Sequence, residues 1–220
     1  MKRKIITTAD GSKTIQIEEW DEQYHSKHGA IQEAYHVFIK HGLSLFSNTE
    51  IAILEIGFGT GLNALITTLE APKNNLVISY TGIEAYPVVL EEISQLNYIE
   101  QLNAPNAKNV FENMHTVPWD VAVEILPNFT LHKKQQDFLE IKAESVYNLI
   151  YFDAFGARVQ PELWTEIIFS LMYKALQSKG ILVTYAAKGS VRRAMLAVGF
   201  SVERLPGPPG KREMLRATKL

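Results

Sequence analysis

The sequence predicts an α/β fold built on a doubly wound parallel sheet whose last strand runs antiparallel. Three observations lead there. From residue 51 onward, apolar runs of strand length alternate with segments of helical periodicity, as in a parallel sheet covered by helices on both faces. The run Ile51-Ala-Ile-Leu-Glu-Ile56 passes straight into Gly57-Phe-Gly-Thr-Gly61 and then Leu62-Asn63, giving the order strand, glycine turn, helix. The last two apolar runs, 200–205 and 213–218, flank Pro206-Gly-Pro-Pro-Gly210. That connection is too short for a helical crossover, so these strands pair antiparallel.

The elements follow in order. Residues 1–20 alternate polar and apolar around Asp10-Gly11, which predicts a hairpin with a type I′ turn. Ile31, Ala34, Tyr35, Phe38 and Ile39 lie at helical spacing and predict a helix over 30–46, stopped near Gly42. These make an N-terminal extension, 1–48, ahead of an α/β domain at 49–220. Strand one is 51–56, followed by a helix over 62–70. Strand two is 76–83, ending at Glu84, and Pro87 opens a helix over 87–96. Strand three is 129–135, ending near Asp137-Phe138. Strand four is 147–152, ending at Asp153. A helix covers 161–177, strand five 181–186, and a helix 190–198 closes at Gly199. Between Glu84 and Phe129 lie 44 residues, more than one helix needs. The surplus predicts an insertion at about 97–128, of the kind that covers a ligand cleft.

Composition narrows the function classes. The chain of 220 residues has no cysteine, which excludes disulfides, thiolate metal sites and cysteine nucleophiles. No run approaches the ~20 apolar residues of a membrane span. No apolar signal core follows the basic N-terminus, so a cytoplasmic protein without a membrane partner is expected. The six histidines show no metal-ligand spacing, and no metal is expected. There is no Gly-x-Ser-x-Gly, which argues against a serine hydrolase. Net charge is −2, but residues 179–220 carry nine Lys/Arg against two acids, and residues 1–178 carry thirteen against twenty-two. A basic C-terminal region of this kind suits a polyanion, unless it is simply a solvated surface.

The glycine turn is the strongest chemical signal. Gly57, Gly59 and Gly61 let backbone approach a ligand closely, and the helix beginning at Leu62 offers free N–H groups. The spacing is G-x-G-x-G, not the dinucleotide G-x-G-x-x-G, and no P-loop Lys follows. The acidic Glu55 beside the turn repels pyrophosphate and favours a cationic amino-acid end, such as that of S-adenosylmethionine. In open α/β sheets, ligands bind at the carboxyl ends of the strands, where Glu84, Asp137 and Asp153 fall. Glu84 suits ribose hydroxyls, Asp137 an adenine amino group with Phe138 near the ring, and Asp153 the acceptor. Each could instead only cap a helix. Asp153-Ala-Phe155 pairs an acid with a ring, an arrangement that orients an amine on a flat base stacked upon Phe155.

Together these segments resemble a known family. Leu54-Glu-Ile-Gly-Phe-Gly-Thr-Gly-Leu-Asn63, Asp153-Ala-Phe155, Pro161-Glu-Leu-Trp164, Val191-Arg-Arg193, Ala197-Val-Gly-Phe200 and Gly210-Lys-Arg-Glu-Met214 resemble the methyltransferase domain of the bifunctional tRNA wobble-uridine enzyme MnmC, whose stand-alone versions are called MnmD. The loop Tyr24-His-Ser-Lys-His-Gly29, with Glu33 and Phe38, is similar as well. The resemblance implies a class I, Rossmann-like S-adenosylmethionine-dependent methyltransferase fold. It implies methyl transfer to the amine of 5-aminomethyl-2-thiouridine in tRNA, with Asp153 and Phe155 at the reacting centre. Donor contacts are expected from Glu55, Gly57, Phe58, Gly59, Gly61, Asn63, Glu84, Asp137 and Phe138. Contacts to tRNA are expected from Tyr24, Lys188, Arg192, Arg193, Lys211 and Arg212. Bifunctional members also carry a flavin oxidase domain; with none within these residues, a separate enzyme is expected to supply the aminomethyl precursor. Alternatives are an N-methyltransferase of another substrate, an aminopropyltransferase-like enzyme, and a non-catalytic RNA-binding module.

Overall fold

The computed structural model describes residues 2–220. Its elements run β1 (Arg3–Thr7), β2 (Lys13–Ile17), β3 (Glu22–Gln23), α1 (Ala30–Ala34), β4 (Thr49–Ile56), α2 (Leu62–Glu70), β5 (Leu76–Ile83), α3 (Leu90–Ile93), α4 (Tyr98–Gln101), α5 (Lys108–Thr116), β6 (Ala122–Leu126), β7 (Phe129–Lys134), β8 (Tyr147–Phe152), α6 (Glu166–Ala175), β9 (Leu176–Thr184), α7 (Gly189–Ala197), β10 (Phe200–Pro206) and β11 (Glu213–Lys219). The main sheet has eight strands in the order β10-β11-β9-β8-β4-β5-β7-β6, and β1 to β3 form a small sheet of their own. Its centre, from β9 to β7, is parallel. At the edges the pairings β9–β11, β11–β10 and β7–β6 are antiparallel, so β11 and β6 run against the central strands. The expected α/β class, including its antiparallel last strand, is the class observed. Among the described residues no helix is long and apolar enough to cross a membrane.

Burial on both faces explains the strand sequences. Strand β8 reads Tyr-Asn-Leu-Ile-Tyr-Phe and is almost wholly buried, because helices cover both sides of a parallel sheet. One core layer joins Val37, Phe38, Leu65, Tyr98, Phe111 and Tyr151, and the other joins Phe152, Trp164, Ile168, Phe169, Val191 and Met195. The chain turns one way from β4 to β5 and the other way from β8 to β9. The crevice beyond the carboxyl ends of β4 and β8 therefore lies at the topological switch point, where ligands bind in such sheets.

Several expectations are corrected here. The hairpin loop is not type I′: Gly11 N–H donates to Thr8 O at 3.0 Å and Thr8 N–H to Ser12 O at 2.8 Å, and only Gly11, at φ 82°, is left-handed in the loop. This is a type I turn closed by a glycine bulge. The Asp10 carboxylate serves two elements: Oδ1 accepts the Ser12 N–H and the Thr8 and Ser12 hydroxyls within the loop, and Oδ2 accepts the N–H groups of Ile31 and Gln32 at 3.0 and 3.1 Å, capping α1. The helix expected over 30–46 is α1 followed by a wider π turn over Tyr35–Lys40. It stops before Gly42, where a Cβ would sit 2.5 Å from Phe38 O.

Pro87 lies outside α3. Arg3 takes up the carbonyls of Tyr86 and Pro87 at 2.9 and 3.4 Å, so the chain there cannot coil. The insertion at 97–128 does not cover the cleft. Tyr98, Phe111 and Met114 bury themselves in the first core layer, and residues 122–126 add strand β6 to the sheet edge. The helix expected over 161–177 is a 3₁₀ turn, Pro161–Trp164, and then α6, while the strand expected at 181–186 begins at Leu176 and ends at Thr184.

Candidate active site

The glycine turn and the end of β8 are locked together. Asp153 N–H donates to Ile56 O at 2.9 Å. Gly57 adopts φ 89°, and a Cβ there would lie 2.9 Å from Asp153 O. No other residue fits without moving that carbonyl. Gly59, at φ 51°, lies under the ring of Tyr24, 3.0 Å from where its Cβ would stand. Above the turn opens a cleft lined by Tyr24, Gly57, Phe58, Gly59, Asn63, Glu84, Asp137, Phe138, Asp153 and Phe155, all expected from the sequence. Two expected residues do not line it. Gly61 is the left-handed cap of α2 and abuts His115. Glu55 lies beneath the floor, 1% exposed, so it cannot touch a ligand directly. Phe58 is 3% exposed, and its ring turns down towards His115, Trp119 and Gly82, leaving its backbone for the cleft.

Below the cleft, one amide ties two carboxylates together. The Asn63 side-chain nitrogen donates to Glu55 Oε1 at 2.9 Å and to Asp153 Oδ2 at 2.8 Å. Tyr80 donates to the other Glu55 oxygen at 2.8 Å. Burial pushes both carboxyls well above their ordinary range; the hydrogen bonds from Asn63 oppose this, and the charge of Asp153 adds to it at Glu55. Asn63 Oδ1 is buried without a partner. An orphaned acceptor in a cleft-lining residue suits an incoming N–H donor. At the other end, Glu84 accepts Gly59 N–H and Tyr86 N–H, both at 3.0 Å, and burial raises its pKa too. Asp137 caps the turn Phe138–Glu140 through Leu139 N–H at 2.8 Å. Each acid keeps lone pairs free for a ligand. A cleft lined by Glu84, Asp137, Asp153 and Glu162 suits a cation-bearing nucleoside, and S-adenosyl-L-methionine, with its ammonium and sulfonium, fits that donor set.

Aromatic rings close the mouth. Phe155 meets Trp20 and Tyr24 edge to face, at 5.5 and 4.9 Å between centroids. Arg158 fastens this corner: its guanidinium donates to Trp20 O, Asp21 O and Glu22 Oε2 at 2.9, 3.0 and 2.9 Å. Beyond Tyr24 and His25, which line both recesses, runs a wider groove with Lys27, His28, Arg158, Lys188, Lys211 and Arg212 on its walls.

Of the basic residues expected to meet RNA, Lys188 and Arg212 are exposed there. Arg192 and Arg193, on α7, do not line it. Lys211 is not a free cation; it pairs with Glu33 at 2.5 Å and lies 3.8 Å over the ring of Tyr185. Other basic tail residues are spent within the sheet edge, Arg216 on Glu203 at 2.9 Å and Lys219 on Leu176 O at 2.7 Å.

With this geometry in hand, similarity to known proteins decides the class. A family described as S-adenosyl-L-methionine-dependent methyltransferase matches residues 127–220. The chain is 27% identical in sequence to the crystallised MNMC2 of Aquifex aeolicus and superposes on it with a TM-score of 0.79, over 100% of this chain and 70% of that one. The chain is similar to S-adenosyl-L-methionine-dependent methyltransferases in sequence and in fold. Its methyl donor is S-adenosyl-L-methionine.

The chain is also 30% identical to the tRNA 5-methylaminomethyl-2-thiouridine biosynthesis bifunctional protein MnmC of Aromatoleum aromaticum, over 88% of this chain and 32% of that protein. It spans about a third of the length of the curated relatives it matches. Spermidine synthase from Thermotoga maritima superposes with a TM-score of 0.65 at 14% identity, over 99% of this chain and 69% of that one, and shares the fold.

The sequence reading missed Arg3, Trp20, His25 and Tyr185 and gave Glu33 no chemical role. All but Tyr185 lie before β4, and nothing in local spacing ties them to strand ends that follow much later.

Proposed function

We propose that the enzyme methylates the exocyclic amine of 5-aminomethyl-2-thiouridine at the tRNA wobble position, giving 5-methylaminomethyl-2-thiouridine. The observation that carries this reading is Asp153: an acid at the meeting point of the acidic cleft and the aromatic corner, beside a basic groove. The name of the Aromatoleum relative supports the choice of acceptor.

In this reading Glu84, Asp137 and Phe138 hold the nucleoside part of the donor, with the backbone of Gly57, Phe58 and Gly59 along one side. Asn63 Oδ1 accepts from the donor's ammonium. Glu55 acts from beneath by fixing Asn63, and Gly61 by setting the start of α2. The donor supplies an electrophilic methyl on a positively charged sulfur. Phe155, flanked by Trp20 and Tyr24, stacks on the uracil ring, a contact worth about 1–3 kcal/mol. Asp153 accepts hydrogen bonds from the amine and aims its lone pair. The amine nitrogen forms the new N–C bond, the S–C bond breaks with its electron pair going to sulfur, and the surplus proton goes to water. Positioning supplies most of the acceleration. The raised pKa of Asp153 adds proton-accepting character that an ordinary aspartate lacks. Lys188 and Arg212 meet phosphates of the RNA.

The test offers labelled donor with undermodified tRNA, with fully modified tRNA and with a mixture of small amines. The reading expects label in the undermodified tRNA alone. Label confined to small amines contradicts it.

A further inference from the structure

A second charged pair stands on the groove side of Asp153, outside the roles given above. Glu33 on α1 and Lys211 in the turn before β11 form an ion pair with side chains 8% and 30% exposed. Glu33 Oε1 also accepts Ser26 N–H at 3.3 Å. The ammonium of Lys211 lies over the Tyr185 ring, and the Tyr185 hydroxyl donates to Ala154 O at 2.8 Å, one residue beyond Asp153. One ring thus joins the pair to the loop that carries the acid. Both members also reach Asp153 through space. After burial, the charge of Glu33 is the next influence raising the Asp153 carboxyl, and Lys211 pulls it back down. Other charged or titratable groups near Asp153 and this pair are Glu55 from β4, Tyr80 from β5, Tyr185 after β9 and Glu22 in β3, with Lys27, His28, Arg158, Lys188, Arg212 and Glu213 on the groove walls.

The charges do not balance. Lys211 is paired with Glu33, while Asp153 is held by a neutral amide, Asn63, which leaves room for a cation beside Asp153. An alkylamine such as the wobble substituent is an ammonium at neutral pH, as a lysine side chain is, and the recess suits it. An ammonium has no lone pair, however, so a field that only attracts it would also stop methylation. Lys211 opposes the incoming charge, and Glu33 limits that opposition.

We infer that Glu33 and Lys211 are opposed positioning residues that set the protonation state in which the acceptor amine is held beside Asp153. The inference rests on the amine-methylating reading proposed above. Without Lys211, the ammonium is held too well, and a higher pH is needed to free the lone pair. Without the Glu33 charge, an unneutralised Lys211 drives the proton off at lower pH and weakens acceptor binding.

The experiment is single-turnover methyl transfer to undermodified tRNA at saturating donor, measured across pH for wild type, Lys211→Met, Glu33→Gln and Lys211→Arg. Each rate rises with pH to a plateau. The midpoint is expected to move up for Lys211→Met and down for Glu33→Gln, each by on the order of one pH unit, and to stay near wild type for Lys211→Arg. A purely structural role moves both single variants alike or neither, and either result overturns the inference. Lys211→Met is also expected to leave tRNA affinity and its salt slope close to wild type. A lowered slope with an unmoved midpoint makes Lys211 a phosphate contact and overturns it too. Should a single variant fail to fold, the double variant Glu33→Gln/Lys211→Met removes both charges, and its midpoint is expected near that of wild type; a displaced midpoint overturns the pairing. If wild type itself transfers no methyl to this tRNA, the amine-acceptor reading fails and the inference falls with it.

Discussion

The cleft and the groove share one wall, Tyr24 and His25, and treat charge in opposite ways. Around the glycine turn the acids are buried or partly buried and already engaged by protein, Glu84 by two backbone N–H groups, Asp153 by Asn63, and Glu55 beneath by Asn63 and Tyr80, while Asp137 at the far end of the cleft is exposed. In the groove Lys188 and Arg212 stand in solvent. Preorganised groups of low solvent access act through geometry, and losing one leaves its partners stranded. Exposed charges act additively and are screened by salt. Single substitutions in the cleft should therefore cost far more than those in the groove.

The largest effect should fall on Asp153. Replacing it by Ala or Asn is expected to slow transfer at least about 100-fold, with donor affinity retained within a few-fold for the Asn variant. Turnover near wild type in both would remove Asp153 from the reacting centre. Next comes Gly57→Ala, which meets Asp153 O and sits at a φ that side chains avoid. A stability loss of about 2 kcal/mol and weakened donor binding are expected, read by urea unfolding and calorimetry. An unchanged protein would mean that the turn is not as tightly fitted to Asp153 as described.

The shared wall gives a pH test. Burial lowers His25 and His115 to about 4 from 6.5. A histidine kept neutral by the fold contributes stability that is full above pH 6.5 and is lost as pH falls towards 4. Each should take away roughly 3 kcal/mol over that window. Urea unfolding of wild type and His25→Asn at pH 7.5 and pH 5 checks this: wild type should lose more stability on acidification than the variant. Equal losses would show that His25 stays neutral for another reason, or titrates without cost.

The smallest effects belong to the groove. Charge reversal at Lys188 or Arg212 should weaken RNA binding while leaving donor affinity alone, and should reduce the salt slope by about 1 per lost phosphate contact. Reversal at Arg193, exposed on α7 and away from the groove lining, should do less. A larger loss at Arg193 would move the RNA path off the groove and onto α7.

The same contrast explains what could be read from the sequence. The three strand-end acids and the glycine turn were legible because parallel strands bring their carboxyl ends to one edge, so Gly57, Glu84, Asp137 and Asp153 had to converge. Glu55 was misjudged because it precedes the strand end, and its side chain turns into the layer beneath the cleft towards Asn63 and Tyr80. The insertion was misjudged as a cover because Tyr98, Phe111 and Met114 are themselves core residues. The groove was only partly legible. A surplus of Lys and Arg says that charge is present, but not that Arg216 is spent on Glu203, nor that Lys211 finds Glu33 178 positions away. Such pairings depend on tertiary packing that leaves no local pattern.

The most direct measurement is the identity of the methylated nucleoside. Undermodified tRNA is incubated with S-adenosyl-L-methionine and either wild type or Asp153→Ala, digested, and its wobble nucleoside identified by mass. The account predicts 5-methylaminomethyl-2-thiouridine with wild type and unreacted 5-aminomethyl-2-thiouridine with the variant. A wobble amine left unmethylated by wild-type protein that binds the donor would contradict it.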